Sequence, residues 1–293
     1  MDNKLIKKYE KTYKIITLIY WICMFMSIGA ALILIAQNKM LWVGICLPIL
    51  YLGSKLLRSI CYRIAIYNKI NAKFTNDFDI KFLLNAFETF TQNKKRPDYR
   101  FVLFNYLNNL MIAGEFDEFK KVYLENRYYI QKSFEKSDLD TFLKFFLPLS
   151  NDEQRQKESL FQYVYSPYHT KKGKLSLVAS YLRERDILQE LSQRYFLKEY
   201  ESIIEKVTEL EKENFGNNYI KLLIQSTKER SLYHMGKEYH TPDEKQCQIF
   251  AGFRWKYLID TGKEYRYDGA EEIIELLDQD MEQRGGQNNG KLH

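Results

Sequence analysis

Cysteine, histidine and proline are scarce in this 293-residue chain: it has four cysteines, four histidines and five prolines. Cys23 and Cys46 fall inside apolar runs, Cys61 just beyond them and Cys247 far away, a distribution that makes no disulfide framework and suits a reducing compartment. His169, His234, His240 and His293 leave catalysis little to work with. No HExxH, paired-cysteine, Walker, GxSxG, kinase or dinucleotide signature occurs. His234 and His240 are six residues apart and point to different helix faces, so with Cys247 they make no convincing metal set. The Asp260-Thr261-Gly262-Lys263 step lacks the spaced glycines of a phosphate loop. We expect no catalytic, cofactor or metal residues. Strand signatures are also rare, so the predicted fold class is all-α.

Charge is missing from two stretches, Ile15 to Ala36 and Met40 to Ser54, which are separated by Gln37, Asn38 and Lys39. At 1.5 Å per residue the first is about 33 Å long, enough for a hydrocarbon core of about 30 Å. The second comes to about 27 Å by extending through Leu56 and Leu57 while Lys55 snorkels. A transmembrane hairpin follows, with spans of 15–36 and 40–57, and an immediate second span argues against a cleaved signal peptide. Lys4, Lys7, Lys8, Lys11 and Lys14 precede the hairpin, and Lys55, Arg58, Arg63, Lys69 and Lys73 follow it, against Lys39 alone in the turn. The bias predicts a multi-pass cell-membrane protein with both termini cytoplasmic. The composition, heavy in Lys, Asn, Ile and Tyr, is associated with AT-rich bacterial genomes. Ser27, Gly29, Ala30, Ala31 and Gly44 suit close helix packing, and with no ionisable group near mid-span the hairpin reads as an anchor.

Residues 1–73 hold eleven Lys and Arg against Asp2 and Glu10, a net of +9; because the whole chain carries +6, the remainder carries −3. The basicity is a membrane collar, in which Lys55, Arg58, Arg63, Lys69 and Lys73 are the expected lipid-headgroup contacts. Nucleic-acid binding is disfavoured, since such a reader concentrates its basic stripe on the folded domain.

Residues 74–281 alternate amphipathic stretches with short breaks and read as a cytoplasmic helical domain, with a possible subdivision near 166–174 and a disordered tail over 282–293. Phe78, Phe82, Leu83, Phe87 and Phe90 form one stripe, placing a helix over 77–92; Phe101, Phe104, Leu107, Leu110 and Met111 form a second that stops at Gly114. Glu115, Asp117 and Glu118 open a third, with Phe119, Val122, Tyr123 and Tyr129 inward. Ser137 with Asp140 and Asn151 with Gln154 mark further starts. Helices are expected over 175–195, 199–213, 218–235, 242–261 and 268–281, the 242–261 helix capped by Thr241 with Pro242 at its first position. Acidic groups such as Asp278, Asp280 and Glu282 read as a solvated face. Tyr128, Tyr129, Tyr163, Tyr165 and Tyr168 cluster near helix ends and are the candidate interface.

Leu103, Tyr106, Leu107 and Leu110, then Gly114-Glu115-Phe116-Asp117-Glu118 and Tyr123, resemble the helix-turn-helix of a tetratricopeptide repeat. Tyr195-Phe196-Leu197-Lys198-Glu199-Tyr200-Glu201 with Ile203 and Val207 is a weaker copy. The small residue expected in the second helix is Phe119 in one copy and Ile203 in the other. The turns lie 84 residues apart, no multiple of the 34-residue period. The resemblance, over about 101–126 and 188–213, implies helical hairpins, assembled as a solenoid or an irregular bundle. Gly114 is the structural turn, where a left-handed backbone is expected. The leading functional reading is a membrane-anchored helical scaffold or adaptor that contacts lipid and binds or regulates a protein partner. An accessory subunit of a membrane transport, secretion or peptide-immunity complex, contacted through the spans, is the alternative, and an unrecognised enzyme the third.

Overall fold

The computed structural model describes residues 2–153, 177–212 and 218–289; among these every regular element is a helix and there is no strand. By packing the chain divides into two compact units, Met1–Val102 and Leu103–His293. Both this division and the one expected at 73/74 fall inside helices.

The first unit opens with α1 (Asp2–Ala36) and α2 (Met40–Tyr62), both long and apolar enough to cross a membrane. Asn38 turns the chain between them at φ 58°, a left-handed conformation that asparagine tolerates. The two helices pack antiparallel along matched contacts: Thr17 Oγ1 lies 2.7 Å from the Tyr62 hydroxyl, Arg58 sits 4.0 Å over the Tyr20 ring, and Ser54 donates to Met24 Sδ at 3.4 Å. Their other faces leave Leu18, Phe25, Met26, Leu32 and Ile33 on α1 and Ile49, Leu52, Leu56, Leu57 and Ile64 on α2 and its extension exposed. Apolar exposure therefore continues past residue 57, the end expected from composition.

Beyond Tyr62 the helix passes through one π-helical stretch, Arg63–Tyr67, and on into α3 (Asn68–Asp77). The wider π turn shifts the helix phase. Tyr62, Ile66, Tyr67 and Ile70 consequently all face inward and are buried, as are Ile6 and Tyr9 at the start of α1. Phe78 ends α3 in a left-handed conformation, and Asp79 caps α4 (Ile80–Thr91) by accepting from the Phe82 N–H at 3.0 Å. Buried Arg96 closes this unit: it pairs with Asp98, donates to the Tyr67 hydroxyl at 3.0 Å and lies 3.7 Å over the Tyr13 ring.

In the second unit, α5 (Tyr99–Ala113), which begins in the first, leads to α6 (Phe116–Glu125), α7 (Arg127–Ser133) and α8 (Lys136–Phe146). Glu135 and Asp138 form the capping box of α8, two residues before the expected Ser137–Asp140 pair, because the Asp138 carboxylate reaches back to the Glu135 N–H at 2.8 Å. Gln154, the partner expected for Asn151, lies outside the described residues. Phe104, Phe116, Phe119, Phe134, Phe142 and Phe146 form a continuous ring-to-ring core.

The chain then forms α9 (Leu177–Phe196), α10 (Tyr200–Leu210), α11 (Asn218–His234), α12 (Phe250–Thr261) and α13 (Ala270–Asn289). Ile187, Leu191, Ile203, Val207, Leu210 and Ile224 make the core of α9 to α11. Helix α13 packs against α8, and the Tyr267 N–H just before it donates to the Leu149 carbonyl at 3.2 Å. It runs to Asn289, past the point where a disordered tail was expected, with Arg284 donating to the Ile130 and Gln131 carbonyls at 2.6 and 2.7 Å.

The expected cap at Thr241 and Pro242 is not where α12 begins. Asp243 and Gln246 instead satisfy each other's backbone N–H groups at 2.7 and 3.0 Å, closing a single tight turn. Buried Ile249 then extends the chain before α12 starts at Phe250. This turn lies directly on Gly252, where a Cβ would sit 2.0 Å from the Gln246 carbonyl oxygen. Only glycine fits there. Gly252→Ala should destabilise the second unit by about 2–3 kcal/mol through forced backbone movement. Denaturant unfolding of the full chain, followed by the fluorescence of neighbouring Trp255, checks this; an unchanged midpoint would contradict the close approach.

Candidate functional site

Charged residues in the second unit occupy positions where helix phase calls for apolar ones. On α11, Glu229 and Arg230 follow Leu222 and Ser226 at helical spacing and are buried with them. Arg230 pairs with Glu264, which lies in the segment between α12 and α13, and lies 4.2 Å over the Tyr195 ring. The Tyr195 hydroxyl also donates to Glu264, His234 Nε2 approaches the same carboxylate at 3.3 Å, and Arg254 stands 3.7 Å away. His234 stacks on Tyr200 with ring centroids 4.9 Å apart. One carboxylate thus gathers side chains from α9, α11 and α12.

Burial alone pushes the Glu264 carboxyl up, but the Arg230 charge, the Tyr195 hydroxyl, Arg254 and His234 outweigh it and hold the group down to about 2. Burial, with the like charge of Arg230, lowers Arg254 to about 10, leaving it charged at neutral pH. Burial also raises the Tyr195 phenol, so it stays a donor. None of these three groups exchanges a proton near neutrality, as an acid or base catalyst must. Burial raises the Cys247 thiol as well, against the opposing pull of Lys256, which disfavours the nucleophilic thiolate.

Two further carboxylates are anchored in the same manner. Glu229 accepts from Gln225 Nε2 at 2.7 Å and from the His240 N–H at 2.6 Å, while the His240 carbonyl takes the Trp255 indole N–H at 3.0 Å. Asp280, expected on a solvated face, is fully buried; it accepts from the Tyr123 hydroxyl, Arg127 Nη2 and Gln131 Nε2, each at 2.8 Å. The correction has a readable cause, because Asp280 is in phase with buried Ile273 and Leu277. Arg230 is legible in the same way; Glu264, in an irregular segment, leaves no periodic trace. His234 and His240 belong to different networks, and among the described residues no group of three His, Cys, Asp or Glu side chains could hold a metal ion.

The expected contact residues do not converge. Tyr128 is 80% exposed, whereas Tyr129 is half-buried; Tyr163, Tyr165 and Tyr168 lie outside the described residues. Of the expected headgroup contacts, Lys55 and Lys69 are exposed, but Arg58 rests on Tyr20 and Lys73 pairs with Asp79 at 3.1 Å while lying 3.9 Å over the Phe82 ring. The Arg63 side chain is outside the described set. Between α1 and α2 lies an almost wholly apolar groove lined by Met24, Ser27, Ile28, Leu47, Pro48 and Tyr51.

Comparison with protein-family models, curated proteins and solved structures finds no match to this chain.

Glu264 gives a pH signature. Its folded value lies below the ordinary 4.5, so the unfolded chain takes up the proton first. The stabilisation is complete above about 4.5 and disappears as pH falls through about 2. Glu264→Gln should cost about 2–3 kcal/mol near pH 7, a gap that closes over that acidic interval; acid titration of both full-length proteins checks it, and a pH-independent gap would contradict the ion-pair account. Asp280→Asn should cost about 3 kcal/mol by leaving Arg127 without its buried partner, against under about 0.5 kcal/mol for exposed Glu282→Gln, as read by denaturant unfolding.

Proposed function

We propose that this chain is a membrane-anchored helical scaffold or adaptor, a multi-pass protein of a bacterial cell membrane with both termini cytoplasmic, whose folded helices bind or regulate a protein partner. The observation that carries the reading is the dual character of α1. Its later part exposes large apolar side chains while its start buries Ile6 and Tyr9 in a packed helical unit. One continuous helix is thus suited to lipid along one stretch and to water along the other. The ten Lys and Arg flanking the hairpin, against Lys39 in the turn, favour the cytoplasmic orientation of both ends.

The likeness of the two helical hairpins is supported by their turns. Gly114 and Lys198 have φ of 78° and 61°. Each turn carries the same pair of bonds, Gly114 N–H to Met111 O and Glu115 N–H to Leu110 O in one, and Lys198 N–H to Tyr195 O and Glu199 N–H to Arg194 O in the other. The packing of α13 on α8, helices more than a hundred residues apart in sequence, favours a closed irregular bundle over a solenoid, in which each unit touches only its neighbours.

The second reading, an accessory subunit contacted through its spans, is favoured by the groove between α1 and α2, which is shaped to take another apolar helix or chain. Replacing 15–57 with an unrelated helical hairpin separates the two. The scaffold reading expects partners crosslinked in native membranes to be retained, and their selective loss would transfer the function to the spans. Reporter fusions should place both termini in the cytoplasm; either terminus outside would end the model.

A further inference from the structure

Helix α1 carries Lys4, Lys7, Lys8, Lys11 and Lys14, all exposed. At 3.6 residues per turn these positions share an arc of about 120°. The opposite arc holds buried Ile6 and Tyr9, and Tyr13 stacked on Tyr62 with ring centroids 4.7 Å apart. Half-buried Glu10 is the one acidic residue near the stripe's edge. We infer that the outer part of the stripe, Lys4, Lys7 and Lys8, is a docking face for an acidic segment of a partner protein. The inference rests on the anchored-scaffold reading and supplies the chemistry of its partner.

Distance separates this role from lipid binding. If hydrocarbon begins near Ile15, Lys8 stands about 10 Å and Lys4 about 16 Å further along the helix, whereas one headgroup layer is only about 5–8 Å thick. Even a tilt of about 40° leaves Lys4 about 12 Å out. Direction adds to distance, because Cβ atoms tilt toward a helix's N-terminus and here aim the side chains away from the bilayer. The Tyr13–Tyr62 stack and the Thr17–Tyr62 hydrogen bond hold α1 against the other helix, so the stripe cannot simply lie down on the surface. Lys11 and Lys14 remain at headgroup depth.

The helix itself offsets little of this charge: Glu10, three residues after Lys7, is the one described acidic side chain beside the stripe. Lysines three and four residues apart repel one another, and the N-terminal end of a helix favours anions over cations. An acidic segment lying along the stripe relieves both conflicts, and its attraction is strongest where charges of one sign are aligned on a rigid element.

The test uses the full chain in phosphatidylcholine nanodiscs with a fluorescein-labelled Glu- and Asp-rich peptide, read by anisotropy. Binding is expected at about 0.1 M salt and should weaken strongly by about 0.5 M. The combined variant Lys4→Gln/Lys7→Gln/Lys8→Gln should reduce affinity about tenfold, while the charge-matched Lys198→Gln/Lys237→Gln/Lys263→Gln should leave it unchanged. Absence of binding, equal loss in both triples, or equally strong binding of a single-stranded oligonucleotide would overturn the inference. In discs containing phosphatidylglycerol the difference between wild type and the first triple should persist; its collapse would assign these lysines to lipid. Release of the full chain from native membranes by alkaline carbonate would defeat the anchoring reading instead, and the peptide measurement repeated in solution would still judge the stripe.

Discussion

The assembly of the second unit depends on an ionised carboxylate in a place where water is scarce. Glu264 belongs to no helix, yet it holds Arg230 of α11, approaches Arg254 of α12 and accepts the hydroxyl of Tyr195 from α9. A desolvated anion is tolerated only when such donors converge on it, so its position fixes theirs. The same segment then carries Arg266 to the Pro148 carbonyl at 2.9 Å and the Tyr267 hydroxyl to Asp117 at 2.6 Å. An ion-paired carboxylate at one end of a short connection and hydrogen bonds at the other thereby join α9, α11 and α12 to α6 and to the turn after α8. Asp280 repeats the principle on α13, gathering Tyr123, Arg127 and Gln131.

The first unit solves a different problem. Its two long helices expose large apolar side chains along one stretch and bury them along another, and amphipathic side chains rather than a break in the backbone lie between the two. Tyr13, Tyr20, Tyr62 and Arg58 combine ring packing with polar ends between the exposed apolar stretch and the buried one. Arg96 then fastens the packed end, its guanidinium between Asp98, the Tyr67 hydroxyl and the Tyr13 ring. The helix thus continues past residue 73 without a break.

The networks give the functional reading its shape. Glu264 and Arg254 stay charged near neutrality and Tyr195 stays protonated, each held there by its neighbours or its burial. Such groups confer rigidity and specificity of packing. The features left facing outward are a lysine-rich helix face, exposed Leu124 and Tyr128, and an apolar groove between two apolar helices.

What the sequence determined by itself is the set of properties that arise within one helix. Hydrophobic runs free of charge defined two helices able to cross a membrane, and stripes of period 3.6 located α4, α5 and α6, because a helix's face is set by neighbours three and four residues away. Tertiary structure decided what depends on distant residues. Asp280 is satisfied because Tyr123 of α6 and Arg127 of α7 meet it, α12 starts at Phe250 because a tight turn folds back on Gly252, and a π turn between α2 and α3 brings Tyr67 to Arg96. Helix phase places Asp280 beside buried Ile273 and Leu277, but the donors that make a carboxylate tolerable there come from residues more than a hundred positions away, and no local periodicity names them.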